Sequence, residues 1–177
     1  MSAFLWIPAT IIGASLQVAR NALQRGMISS SGPWGATLVR FLFGLPFSIL
    51  FVAVVVKMTP NADPHYGLAF WTSASTGALA QLLATTTLLV SMERIGFAVA
   101  STLQHVALPI AAIIGFVVYD DPLSTIAWIG VFVTTAGLVV LTWPSRRATG
   151  PKPVSGAVYG LLSGLCFGLS LNAFRHA

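Results

Sequence analysis

The chain has 177 residues, of which 56% are hydrophobic and only 7% charged, and its mean hydropathy is +0.86. Ordinary soluble domains carry about 25% charged residues, so this composition excludes an ordinary soluble fold, and lipid is expected to be the solvent for much of the chain. The formal net charge of +5 is scattered between apolar runs rather than clustered with aromatics, which argues against a nucleic-acid partner and suits loops facing anionic headgroups.

Six apolar segments are long enough to cross the bilayer as helices, since one span needs about 20 residues. Their predicted bounds are 3–24, 36–56, 68–90, 97–119, 125–143 and 154–174. Short loops rich in proline and glycine separate them, the first at residues 29–33, because proline fixes φ and lacks a donor. The sequence therefore predicts an all-α membrane protein, a polytopic transmembrane helix bundle.

The first span carries polar residues along one face. Gly13, Gln17, Arg20 and Gln24 follow one another at steps of three and four, and Asn21 lies beside Arg20, so they form a stripe on a helix. The stripe is a candidate wall of a substrate pathway, with Arg20 binding a negatively charged group. The alternative is that Arg20 extends to the membrane interface, where long basic side chains are stable.

Spans two and three also contain polar groups. Arg40 opens the second span, where anchoring at the interface is a more common role than contact with a substrate. On the third span Gly77, Gln81 and Thr85 share one face. Polar groups inside a span are costly and usually face a cavity or another helix, so Gln81 and Thr85 are candidates for the pathway.

The fourth span has Ser101, Gln104 and His105 just before Pro109. Proline removes one backbone hydrogen bond and permits a kink there. Gln104 is a further pathway candidate. His105 could exchange protons near neutral pH, although a histidine in a helix bundle is more often simply hydrogen-bonded to a neighbour.

The sixth span has small residues at a regular spacing. Glycines recur every four residues, at Gly156, Gly160, Gly164 and Gly168, and this spacing lets another helix approach closely. The pattern predicts helix packing and carries no information about a substrate.

The beginning and the end of the chain resemble each other. The stretch from Gly13 to Arg20 matches the stretch from Gly168 to Arg175 at a constant offset, with Gly, Ser, Leu and Arg identical and Gln replaced by Asn. If the sixth span restarts the pattern of the first, the repeat unit has five spans. Because five is odd, the second copy would be inverted in the membrane, an architecture common in secondary transporters.

The sequence resembles the drug/metabolite transporter superfamily, in particular the EamA-type repeat. The resemblance rests on the stretch from Met92 to Leu141, with Leu108-Pro109, Trp128-Ile129-Gly130 and Ala136-Gly137-Leu138, and on Arg20 and Arg40-Phe41. One departure is Tyr119-Asp120-Asp121, which stands where the family usually has Gly-Glu. The resemblance implies transport of amino acids, metabolites or drugs across the plasma or inner membrane.

The predicted organisation is a five-span repeat over residues 1–144, a linker over 145–153 and the first span of a second, truncated repeat over 154–177. The expected partners are a small-molecule substrate, the lipid bilayer, and either the missing second repeat or a second copy of the chain. The orientation stays open, because the basic loops place the N-terminus outside whereas the resemblance implies that it lies inside.

The preferred function is a secondary transporter, and the absence of a carboxylate within any predicted span favours anionic or zwitterionic substrates. One alternative is a non-transporting membrane-assembly subunit. Another is a membrane-embedded lipid or prenyl transferase, for which Asp120-Asp121 offers only a lone acidic pair. No enzyme activity, cofactor or metal is predicted.

Overall fold

The computed structural model describes Phe4 and residues 6–60, 66–142 and 153–177. Within these ranges the chain forms six helices and no strand: α1 (Trp6–Met58), α2 (Leu68–Ile95), α3 (Phe97–Gln104), α4 (Ala107–Val118), α5 (Thr125–Thr142) and α6 (Pro153–Arg175). Four segments of the described chain are long and apolar enough to cross a membrane, and α5 is a shorter apolar helix. The predicted class of helical membrane protein is confirmed. The predicted linker lies outside the described residues except for Pro153.

The first two predicted spans form the single element α1, which bends at Gly32. A segment of 52 residues is about 78 Å long at 1.5 Å per residue, which is more than twice the hydrocarbon thickness, so α1 can cross twice. Gly32 has φ 66° and ψ 172°, a conformation that glycine adopts without steric cost. Pro33 follows as the first residue of the second half, where no amide donor is needed.

The predicted first loop is therefore shorter than expected. Residues 29–31 remain helical, because the hydroxyl of Ser29 donates to the Gly26 carbonyl at 3.3 Å and that of Ser30 to the Met27 carbonyl at 3.0 Å. Such local bonds let serine stay within the last turn of a helix. Among residues 29–33, only Gly32 departs from helical geometry.

The fourth predicted span is divided into α3 and α4 by a tight turn. The amide of His105 donates to the Thr102 carbonyl at 3.0 Å, and that of Val106 to the Leu103 carbonyl at 3.2 Å. These are the three-residue steps of a 3₁₀ turn. Pro109 has no amide hydrogen to offer the His105 carbonyl, which accepts from Leu108 instead at 3.1 Å. The missing donor of Pro109 accounts for the last of these steps, in which Leu108 bonds to the His105 carbonyl.

Helix α6 lies at the centre of the described bundle, along α2 and against α3 and α4. A Cβ atom added at Gly164 would lie 3.2 Å from the Leu103 carbonyl oxygen, and a Cβ atom added at Gly168 would lie 3.0 Å from the Ala107 carbonyl oxygen. The hydroxyl of Ser163 donates to the Ala84 carbonyl at 2.8 Å. The core consists of buried apolar residues of these helices: Ala84, Leu88, Leu89, Met92, Ile95, Ala100, Leu103, Ala107 and Phe167.

Helix α1 packs only around its bend. We call the two halves of α1, before and after Gly32, its first and second arms. Residues 7–20 of the first arm are exposed, and so are residues 41–58 of the second arm apart from the partly buried Gly44. Between these exposed stretches, Ala36 joins the core, and the Thr86 hydroxyl of α2 donates to Thr37 at 3.3 Å. The bend therefore fixes α1 against α2 and leaves both arms open to lipid or to further protein.

Candidate functional site

A line of polar contacts connects α1, α2 and α6. The guanidinium of Arg40 donates from Nη1 to the Thr85 hydroxyl at 3.0 Å, and that hydroxyl donates to the Gln81 carbonyl at 2.9 Å. From α6, the hydroxyl of Ser170 donates to Gln81 Oε1 at 2.9 Å. Gln81 and Thr85 share one face of α2 because they are four residues apart. We call Arg40, Thr85, Gln81 and Ser170 the polar seam.

Helix α1 carries further polar groups between its N-terminal end and its bend. Arg20 donates to Asn21 Oδ1 at 3.2 Å. Asn21 is 5% exposed and Gln24 is 6% exposed. The Gln24 Nε2 atom is buried without a hydrogen-bond partner among the described residues. The buried polar side chains of this part of α1 are therefore those of Asn21 and Gln24.

The bend of α1 and the C-terminal part of α2 border an open cleft of about 410 Å³. Arg25, Ile28 and Ser29 line one side, and Met92 and Glu93 line the other. Gln24 lies between Arg20 and this cleft, one helical turn from each.

The remaining predicted pathway residues do not all join this region. Gln104 is buried, at 7% exposure. Gln17 is exposed on the first arm of α1, and His105 is exposed at the turn between α3 and α4. In the part of the chain that the structure describes, no hydrogen bond to the His105 imidazole is formed. The role of His105 as a coupling residue stays a prediction.

Two members of the polar seam were not among the predicted pathway residues. Arg40 was assigned to interface anchoring, yet it is partly buried and bonded to Thr85. Ser170 was noted only as part of the predicted repeat, as the counterpart of Ser15. Residues two apart do not share a helix face, so the stripe through Gln17 gave no signal for Ser170.

The end of α6 is held by an ion pair. Arg175 Nη1 lies 2.8 Å from Asp121 Oδ2, and the imidazole of His176 stacks on Tyr119 with ring centroids 3.7 Å apart. Asp120 has φ 50°, a left-handed conformation that aspartate tolerates better than most residues. Asp120 thus takes the conformation expected of glycine in the Gly-Glu pair of the resemblance, and Asp121 supplies the carboxylate.

These features define a class: a multi-pass helical membrane protein whose apolar helices enclose bonded polar groups. The sequence profile of the EamA-like transporter family matches residues 4–143, which is most of the chain, and the chain belongs to this family. No match was found among curated proteins or among solved structures. The suspected resemblance to the drug/metabolite transporter superfamily is confirmed by the family match.

Proposed function

We propose that the protein is a secondary transporter that moves a small metabolite, amino acid or drug across the plasma or inner membrane by alternating access. The observation that carries this proposal is the polar seam. It connects α1 and α2 of the first predicted repeat with α6, the first helix of the second, inside otherwise apolar helices. Polar groups at such positions are costly in a membrane and usually line a pathway.

The packing supports movement of α1 relative to the rest. Helix α6 is locked to α2 and α3–α4 by close glycine contacts and by the Ser163 hydrogen bond, whereas α1 packs only near its bend. Tight elements move as one body, and loosely packed elements open at low cost. In the proposed mechanism α1 rocks against the α2–α6 body, so that the polar seam opens to one side of the membrane and then to the other.

The exposed surface of both α1 arms favours a mechanism in which a further protein segment takes part. Both arms present large apolar side chains, among them Ile11, Leu16, Phe47 and Phe51. Lipid can solvate such surfaces, but the polar stripe on the first arm needs a protein or aqueous neighbour. A second five-helix repeat, or a second copy of the chain, would supply the other wall of the pathway.

The proposal is tested with the purified full chain in sealed proteoliposomes. The vesicles are loaded with a defined mixture of amino acids, organic acids and quaternary amines, and release is followed by mass spectrometry. We expect selective release of a subset of solutes, reduced by Arg40→Gln and unchanged by Lys57→Gln, which removes an equal charge from the exposed end of α1. Release no faster than from protein-free vesicles would refute transport by this chain.

A non-transporting assembly subunit is the second candidate, and the exposure of both α1 arms favours it. In that case the chain would release no solute but would form a defined complex in the membrane. The third candidate, a lipid or prenyl transferase, finds less support, because the Asp121 carboxylate is engaged by Arg175 at 2.8 Å.

A further inference from the structure

The open cleft at the bend of α1 carries opposite charges that do not pair with each other. Its volume is about 410 Å³, and it is lined by Arg25, Ile28 and Ser29 of α1 and by Met92 and Glu93 of α2. Among the described residues, neither Arg25 nor Glu93 forms a salt bridge. A basic group on one wall and an acidic group on the other are complementary to a ligand that carries both charges.

The cleft lies at one membrane surface. At 1.5 Å per residue, the stretch of α1 from Trp6 to Gly32 is about 39 Å long, close to the thickness of a bilayer with its headgroups, about 40–45 Å. The second arm of α1 and helix α2 each cross once, so Gly32 and Gly96 lie at the same surface. The cleft is formed by the last two turns before Gly32 and the last turn before Gly96. Its occupant therefore lies among the lipid headgroups.

The environment of Glu93 favours a cationic partner. Glu93 is in the last turn of α2, which ends at Ile95, and the C-terminal end of a helix carries a partial negative charge that disfavours a carboxylate. The guanidinium of the neighbouring Arg94 is directed to α6, where it lies 4.6 Å from the centre of the Tyr159 ring. A cation bound in the cleft would offset both the charge of Glu93 and the partial charge of the helix end.

Along α1, the charged donor lies deeper in the membrane than the hydroxyl. Arg25 is seven residues before Gly32 and Ser29 is three, so Arg25 starts about 6 Å farther from the surface. The Ser29 hydroxyl donates to the Gly26 carbonyl at 3.3 Å, and its oxygen can still accept from a cation. The cleft thus offers a guanidinium on the inner side and two acceptors, Ser29 and Glu93, nearer the surface.

We propose that this cleft binds the headgroup of phosphatidylethanolamine. A guanidinium binds a phosphate with two parallel hydrogen bonds, so Arg25 holds the phosphate, which lies next to the acyl chains in the lipid. The ammonium lies outermost, and it donates to the Glu93 carboxylate and to the Ser29 hydroxyl. Between these polar groups, Ile28 and Met92 form an apolar wall against which the two methylene groups of ethanolamine pack.

The pair of charges distinguishes this lipid from the alternatives. Phosphatidylglycerol has no cation for Glu93, so its phosphate would add a second negative charge to the cleft. Phosphatidylcholine has a cation but no N–H group that could donate to the carboxylate. A free zwitterion with the same charges would lack the acyl chains that hold a lipid at this surface.

The test counts the lipids bound to the purified full chain by native mass spectrometry. The chain in a neutral detergent is titrated with dioleoyl lipids whose headgroup is ethanolamine, N-methylethanolamine, N,N-dimethylethanolamine, choline or glycerol. We expect one saturable site whose affinity falls with each added methyl group. Phosphatidylethanolamine should bind at least about tenfold more tightly than phosphatidylcholine, the usual gain from a charge-assisted hydrogen bond. Equal binding of these two lipids, or tighter binding of phosphatidylglycerol, would overturn the proposal.

Variants assign the two walls of the cleft separately. Glu93→Gln should bring the ethanolamine and choline lipids to similar affinities, because the carboxylate is the group that distinguishes them. Arg25→Gln should weaken both lipids about ten- to hundredfold and preserve the ratio between them, because both contain the phosphate. Both side chains are exposed, and surface substitutions usually change stability little. An ethanolamine preference that survives in Glu93→Gln, or full binding by Arg25→Gln, would contradict the assignment.

Matched controls remove charges at the opposite membrane surface. Lys57→Gln removes a positive charge at the end of the second arm, and Asp120→Asn removes a negative charge at a left-handed position that asparagine tolerates. Neither should change lipid binding, and an equal loss in either control would show a general effect of charge and refute the site.

A soluble analogue separates a lipid site from a solute site. Glycerophosphoethanolamine has the same headgroup without acyl chains, and we expect it to leave the bound lipid in place at equal concentration. Displacement at equal concentration would identify a site for a soluble zwitterion and overturn the lipid assignment.

Discussion

Gly13 and Gly168, which are equivalent in the predicted repeat, offer a matched pair of perturbations. A Cβ at Gly168 would lie 2.8 Å from Ile110 Cγ2, 3.0 Å from the Ala107 carbonyl oxygen and 3.2 Å from the Ala111 amide nitrogen. Two of these neighbours are backbone atoms of α4, which cannot rotate away. A Cβ at Gly13 would meet nothing within 4 Å. The same substitution therefore tests packing at one site and intrinsic helix preference at the other.

The magnitudes follow from these contacts. Overpacking at a close helix contact costs about 1–3 kcal/mol for small insertions, and leucine adds three carbons beyond Cβ, so Gly168→Leu should reach at least the upper end. Replacing glycine in a helix also gains up to about 1 kcal/mol of propensity. We expect Gly168→Leu to lower stability by about 2–3 kcal/mol in net terms, with Gly168→Ala between it and wild type. Gly13→Leu should be neutral or slightly stabilising.

The assay is thermal unfolding of the purified chain in detergent, followed by intrinsic fluorescence. For chains of this size about 1 kcal/mol corresponds to a shift of roughly 2–4 °C, so Gly168→Leu should lower the melting temperature by roughly 4–12 °C. A Gly168→Leu variant as stable as wild type would refute the close packing of α6 on α4. An equal loss in Gly13→Leu would refute the assignment of the first arm of α1 as unpacked.

Three further outcomes are expected. Ser163→Ala removes the buried hydrogen bond to the Ala84 carbonyl and should lower the free energy of unfolding by about 1 kcal/mol. The control Ser101→Ala loses only a bond within its own helix and should change the melting temperature little. Pro109→Ala restores an amide donor for the His105 carbonyl, so α3 and α4 should straighten. The distance between spin labels at the start of α3 and at the end of α4 should then increase, and an unchanged distance would contradict the role of the missing donor. Asp121→Asn should lower the free energy of unfolding by no more than about 1 kcal/mol, since the Arg175 side chain is 64% exposed. High salt should reduce this loss. A larger loss that does not depend on salt would show that the ion pair is more than a surface contact.

The hydropathy of the sequence and the periodicity of its apolar residues were sufficient to predict the membrane-spanning segments. Helix α2 begins at Leu68 and α5 at Thr125, both as predicted, because glycine or polar turn residues precede long apolar runs at these points. The extent of the first loop was predicted less well. Serines 29 to 31 were predicted to be loop residues, but their hydroxyls can bond back within a helix, so composition alone could not show that the chain bends only at Gly32.

The candidate site was predictable in part. Arg20, Asn21, Gln81 and Thr85 were recognised because polar residues recur on one face of a span. Arg40 was assigned to anchoring, because its distance from the start of a hydrophobic run does not reveal that α1 bends and brings it to Thr85. No periodicity could show that Gln24 is buried with an unpaired donor, since that depends on the packing of α1 against α2.

The central claim, that the polar seam lies on a pathway open to both sides of the membrane, is tested most directly by thiol labelling. In a Cys166→Ser background, which removes the single cysteine of the chain, Thr85→Cys is compared with Ser163→Cys; both native side chains are 0% exposed. A small membrane-impermeant methanethiosulfonate should label the Thr85→Cys thiol from either side of sealed vesicles and leave the Ser163→Cys thiol, in the α2–α6 contact, unlabelled. Equal protection of both thiols from both sides would contradict the account.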